Sequence, residues 1–142
     1  MNLKLVMRLL QISLGVIFFW YGILKVFDGV SPAQELATTT ISMLTFNLIE
    51  PVISIKLIAI WELLIGIGFI TGYCLRATFV LFFIHMFGTF TPLVLLPEVT
   101  FTQVPYAFTI VGQYIVKNVV FVLAGMGIYY FNKENNSEKI SY

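Results

Sequence analysis

The chain has 142 residues, of which 59% are hydrophobic and 11% charged, with a formal net charge of +1. A water-soluble domain carries about 25% charged residues, so this composition belongs to an integral membrane protein, and the near-neutral balance excludes the broad basic surface that nucleic acid requires. A single cysteine, Cys74, excludes an internal disulfide and a C-x-x-C redox pair.

Span one is expected over about residues 5–27, with Arg8 and Gln11 near its start and Lys25 near its end. The run is aromatic-rich and has no small-residue cleavage site before Asp28, so it is read as a retained span and not as a signal peptide. Ser31-Pro32-Ala33-Gln34 has the residues of a helix start: a serine cap, a proline at the first helical position and a glutamine able to complete a capping box. The segment that follows, from Ala33 to Phe46, holds Thr38, Thr39, Thr40, Ser42 and Thr45 and is too polar to span. It is expected as a short interfacial helix.

Pro51 opens span two, at about 52–71, and a short turn from Gly72 to Leu75 leads into span three, at about 77–96. So short a turn makes these two spans antiparallel neighbours. After Pro97-Glu98, a loop carrying Phe101 and Tyr106 reaches span four at about 108–131, and a polar tail, 132–142, follows. The expected fold is all-α: one membrane-embedded four-helix bundle with an interfacial helix between spans one and two. Lys4, Arg8, Arg76, Lys133 and Lys139 fall on one side, and Asp28, Glu35, Glu50 and Glu98 on the other, while Lys25, Lys56 and Lys117 lie within the outer halves of spans. The positive-inside rule then places both termini in the cytoplasm.

Helical spacing gathers the exceptional residues onto one stripe per span: Arg8, Gln11, Gly15, Phe18, Gly22 and Lys25; Ala59, Glu62 and Gly66; His85, Thr89 and Pro92; Gln113, Lys117 and Ala124 beside Asn118, Phe121 and Gly125. Polar and small residues avoid lipid, so these stripes face one interior. Glu62 is central in its span, where a charge costs on the order of 3 kcal/mol, which marks it as the first functional candidate. It is expected to pair with Lys117 or Lys25, with His85 at similar depth. Plainer readings stand beside these: a Glu–Lys pair fixing helix register, Lys25 snorkelling to the interface, His85 bonded to a neighbouring helix. One histidine cannot give the usual pair of axial haem ligands, and one His, one Cys and one intramembrane Glu have no metal-site spacing. No Ser/His/Asp constellation and no phosphate-binding glycine loop is present.

Leu14-Gly15 through Gly22-Ile23-Leu24-Lys25, Trp61-Glu62-Leu63-Leu64-Ile65-Gly66, His85-Met86-Phe87-Gly88-Thr89 and Gly112-Gln113-Tyr114-Ile115-Val116-Lys117-Asn118 form an ordered set. This set resembles the DoxX family of small four-helix bacterial membrane proteins. The resemblance implies a place in the bacterial inner membrane and a link to quinone, sulfur or oxidative-stress chemistry, as a subunit of an oxidoreductase assembly at most. On that reading a quinone or a small anion meets Lys25, Gln113, Lys117 and Asn118, while Glu62 and His85 relay protons. The partners are redox subunits or further copies of the chain. Two other classes fit the residues: a small proton-coupled transporter built on Glu62, and a non-catalytic membrane scaffold.

Overall fold

The computed structural model describes residues 2–140. Helix α1 (Leu3–Val26) starts under an Asn2 side-chain cap that accepts the Lys4 backbone N–H at 3.0 Å. A turn through Gly29 leads to α2 (Gln34–Leu44). Its start differs from the capping box that the sequence suggests. Ala33 is the cap, and the Gln34 side chain accepts from the Gly29 N–H at 3.0 Å. Ser31 is buried, and its carbonyl accepts from the Gln34 N–H. The serine thus closes the turn through its backbone and leaves its hydroxyl out of the cap.

Helix α3 (Pro51–Thr71) has proline at its first turn, where a missing N–H costs nothing. Gly72, at φ +76°, caps it in the left-handed region and sends the chain straight into α4 (Leu75–Phe90). Two short helices, α5 (Pro92–Leu95) and α6 (Pro97–Thr100), are each opened by a proline. A small antiparallel hairpin follows, β1 (Phe101–Gln103) with β2 (Ala107–Phe108). It adds two strands to a fold expected as all helix. Span four is α7 (Ile110–Val116), with Thr109 as its cap, continued by α8 (Val119–Ile140). The polar segment beyond Phe131 therefore continues as helix as far as Ile140; Ser141 and Tyr142, the end of the expected tail, lie outside the described residues.

Among the described residues, 4 helical stretches are long and apolar enough to cross a membrane: Leu3–Val26, Pro51–Thr71, Leu75–Leu95 and Ile110–Glu134. α1 and α3 make the most extensive contact, antiparallel and close. A Cβ on Gly66 would lie 2.6 Å from the Phe19 nitrogen, and one on Gly22 would lie 2.9 Å from the Ala59 carbonyl oxygen. Such near-touching backbones need glycine at the crossing, the usual way membrane helices gain dispersion contact without a hydrophobic effect between them. The core is largely aromatic. Phe18, Phe69 and Phe82 meet edge to face, with ring centroids 5.4 Å apart for Phe18–Phe82 and for Phe69–Phe82. Leu14, Ile65, Phe79, Met86 and Ile128 fill the space around them. The opposite faces, such as Val52, Leu57, Ile60, Leu64 and Ile67 on α3, are exposed apolar side chains suited to lipid.

Candidate functional site

The aromatic core ends against a cluster of charge. Glu62, eleven residues into α3, projects at α1 and α4 together. Its Oε2 accepts from Lys25 Nζ at 2.7 Å, and its Oε1 lies 3.4 Å from His85 Nε2. The Lys25 and Glu62 side chains are 6% and 5% exposed, and His85 is 15% exposed. Carboxylate, ammonium and imidazole thus converge at mid-span, one helix contributing each. Burial of this kind is tolerable only because the ions are paired.

Three local features bring the groups together. The Gly22 contact seats the last turn of α1 on α3, which carries Lys25 to the level of Glu62. The ammonium also donates to the Tyr21 carbonyl at 3.4 Å and lies 5.6 Å from the Tyr21 ring centroid, so the side chain is held inward and does not snorkel out. His85 is held between rings, edge-on to Phe18 at 5.6 Å and tilted against Trp61 at 6.3 Å. Trp61, in turn, donates its indole N–H to the Leu81 carbonyl at 3.0 Å. That carbonyl lies one helical turn before His85, so Trp61 ties α4 to α3 just below the imidazole.

At the far end of the α1–α3 pair, Gln11 and Arg8 donate to the Phe69 and Ile70 carbonyls at 2.7 and 3.0 Å. These are among the carbonyls that α3 leaves unpaired at its C-terminus, and a cation there also suits the helix dipole. Sequence periodicity placed both residues on the interior stripe; their capping role depends on α3 ending just where they reach.

His85 makes no hydrogen bond through Nδ1 to any group among the described residues, and its contact with Glu62 is longer than a well-formed N–H···O bond. One ring nitrogen is thus offered outward while the other faces a carboxylate. Such an imidazole can take a proton on one side and release one on the other.

The span-four candidates stand apart. The ion-pair partner of Glu62 is Lys25, while Lys117 is exposed with its ammonium 4.1 Å from the Tyr114 ring centroid. Gln113 is exposed as well, and Asn118 is half-buried with no side-chain hydrogen bond among the described residues. Periodicity puts Lys117 and Asn118 on neighbouring faces, and the rotation of α7 turns Lys117 away from the interior. Trp61 is the contributor that sequence reasoning passed over. Its signal was adjacency to Glu62, which puts it beside the α3 face carrying the acid. Among the described residues no three His, Cys, Asp or Glu side chains gather as a metal site.

A family model described as DoxX matches residues 3–98, more than half of the chain and all of the segments that carry Lys25, Glu62 and His85. No curated protein and no solved structure matches.

Proposed function

The chain belongs to the DoxX family, and from that premise we propose that it is the membrane subunit of a redox assembly in which the Lys25–Glu62–His85 cluster receives a quinone headgroup and handles its protons. The observation that carries this reading is the shared carboxylate. Glu62 spends one oxygen on an ammonium and the other on an imidazole that still has a ring nitrogen facing outward. A cluster serving only to fix helix register would have no use for that second acceptor.

The donor set fits the headgroup. His85 and Lys25 are hydrogen-bond donors, and the half-buried Trp61 sets an aromatic ring beside the imidazole. A bound quinone supplies a two-electron, two-proton acceptor, the electrons coming from a partner subunit. His85 would donate from Nδ1 to the headgroup as it is reduced, and Glu62 Oε1 would hold the imidazole from its Nε2 side. Lys25 orients the carboxylate, and the close α1–α3 crossing keeps water from short-circuiting the path. The positive-inside rule, read on Lys4, Arg8 and Arg76, favours both termini in the cytoplasm of a bacterial inner membrane, and on that orientation the cluster would lie within the hydrocarbon layer.

A fluorescence titration tests this. In a Trp20→Phe background, where Trp61 is the remaining tryptophan of the chain, a short-tail benzoquinone should quench Trp61 saturably. His85→Leu should weaken the quenching about tenfold, the worth of one charge-assisted or buried hydrogen bond. Linear, non-saturating quenching that is the same in both proteins would overturn the reading.

A further inference from the structure

At the end of the bundle where α1 begins and α3 stops, Arg76 lines a concavity and Arg8 lies against Gly72 in its wall. Arg8, held by its bond to the Ile70 carbonyl, lies across Gly72, where a Cβ would stand 2.9 Å from its Nη1. The glycine has φ +76°, and its missing side chain gives the guanidinium its seat. One of the five N–H donors is used on the carbonyl, and the rest of the fork is pre-positioned. Arg76 follows in the first turn of α4, exposed, and Lys4 lies one turn before Arg8 on α1. Among the described residues, none of these three cations forms an ion pair. By sequence, Glu134 and Glu138 are the acids of this end, interleaved with Lys133 and Lys139, whereas Asp28, Glu35, Glu50 and Glu98 belong to the opposite one. Beside Arg76 opens a concavity of about 620 Å³ lined by Gly72, Cys74, Leu75, Arg76, Ala77 and Asn132.

Depth decides what would fill it. The apolar stretch of α3 ends at Thr71, and exposed Tyr73 follows it in the turn, so the concavity stands at the level where hydrocarbon gives way to headgroups. We propose that it binds the phosphate of an anionic phospholipid, with Arg76 as the principal contact and Arg8 closing the rim. A zwitterionic lipid brings its own ammonium and would gain little from two guanidiniums. An anionic one gains about 1 kcal/mol per basic residue near the surface, which corresponds to roughly fivefold in occupancy.

The full chain is exchanged into nanodiscs of phosphatidylcholine doped with phosphatidylglycerol, and the lipid that stays bound on mild release is counted by native mass spectrometry. Wild type should retain phosphatidylglycerol above its bulk fraction. Arg76→Gln, which removes a side chain without an internal partner, should lose about fivefold of that enrichment. Arg8→Lys keeps the charge and should lose less, and Lys56→Gln, toward the other end of α3, should lose none. Equal retention of the two lipids by wild type, or enrichment that survives Arg76→Gln, overturns the proposal. Saturable binding of inorganic phosphate in pure phosphatidylcholine discs, without phosphatidylglycerol enrichment, overturns the lipid assignment in favour of a soluble phosphate.

Discussion

Replacing one partner of the buried pair should cost far more than replacing both. At 2.7 Å and an effective dielectric of about 20, the Lys25–Glu62 attraction is about 6 kcal/mol before desolvation is subtracted. Both side chains are about nine-tenths buried or more, so the solvent screening that erases surface ion pairs acts weakly here. Removing one member of such a pair costs about 3–5 kcal/mol, because an uncompensated charge stays behind. The two single variants should differ within that range. Lys25→Met leaves Glu62 with His85 at 3.4 Å, which can become its counter-ion, so the loss should sit near the low end. Glu62→Met leaves the ammonium, among the described residues, with the Tyr21 carbonyl at 3.4 Å and the Tyr21 ring at 5.6 Å, so the loss should sit near the high end. The double variant, apolar on both sides and of similar volume, should return to within about 1–2 kcal/mol of wild type. Unfolding in mixed micelles, followed by circular dichroism, gives the double-mutant cycle, with a coupling of about 3 kcal/mol or more expected. Additive losses would refute the reasoning, since they would mean that the two charges do not hold each other in the membrane.

Gly66→Ala should push α1 from α3, because the new Cβ would lie 2.6–2.8 Å from Phe19 backbone and Cβ atoms. A loss of about 1–3 kcal/mol in the same unfolding assay is expected, whereas Gly127→Ala, with nothing within 4 Å, should be neutral or slightly stabilising. Gln11→Leu leaves the Phe69 carbonyl without its donor and should cost about 1–3 kcal/mol; an unchanged midpoint would show that carbonyl to be satisfied otherwise. Trp61→Phe keeps an aromatic wall but loses the bond to Leu81, and should lower stability by about 1 kcal/mol. It should also change the His85 imidazole resonances in NMR; an unmoved spectrum would exclude Trp61 from positioning that ring.

Much of this architecture was legible in the sequence, because lipid imposes a simple rule on each helix face. In α1 the stripe Arg8, Gln11, Gly15, Phe18, Gly22 and Lys25 is buried except at Arg8, which is exposed, and Leu14 is buried beside it. Glu62 could be found from depth alone. What periodicity cannot supply is the rotation of one helix against the next, and two cases show it. Lys117 and Asn118 are adjacent, so a modest turn of α7 decides which faces inward. Trp61 draws its role from another helix, because its N–H finds the Leu81 carbonyl on α4. The capping box at Ser31 failed for a related reason. The motif was local, but the Gly29 N–H competed for Gln34, and a turn outside the helix won.

The placement of Lys25 and Glu62 also orders the protein's birth. Lys25 is the penultimate residue of α1, so when that helix enters the bilayer alone its ammonium stands at the end of the segment, near water and headgroups, where a cation is cheap to carry. Glu62 comes later, and it arrives in the middle of α3, where an unpaired acid is costly. By then the lysine that neutralises it is already in the membrane, on the helix against which α3 packs most closely. The chain thus commits its tolerable charge first and its expensive one second, and the insertion of α3 becomes coupled to its docking on α1. Reversing the two residues would place a lone acid at the tip of the first helix and demand that a lysine cross the hydrocarbon centre to meet it.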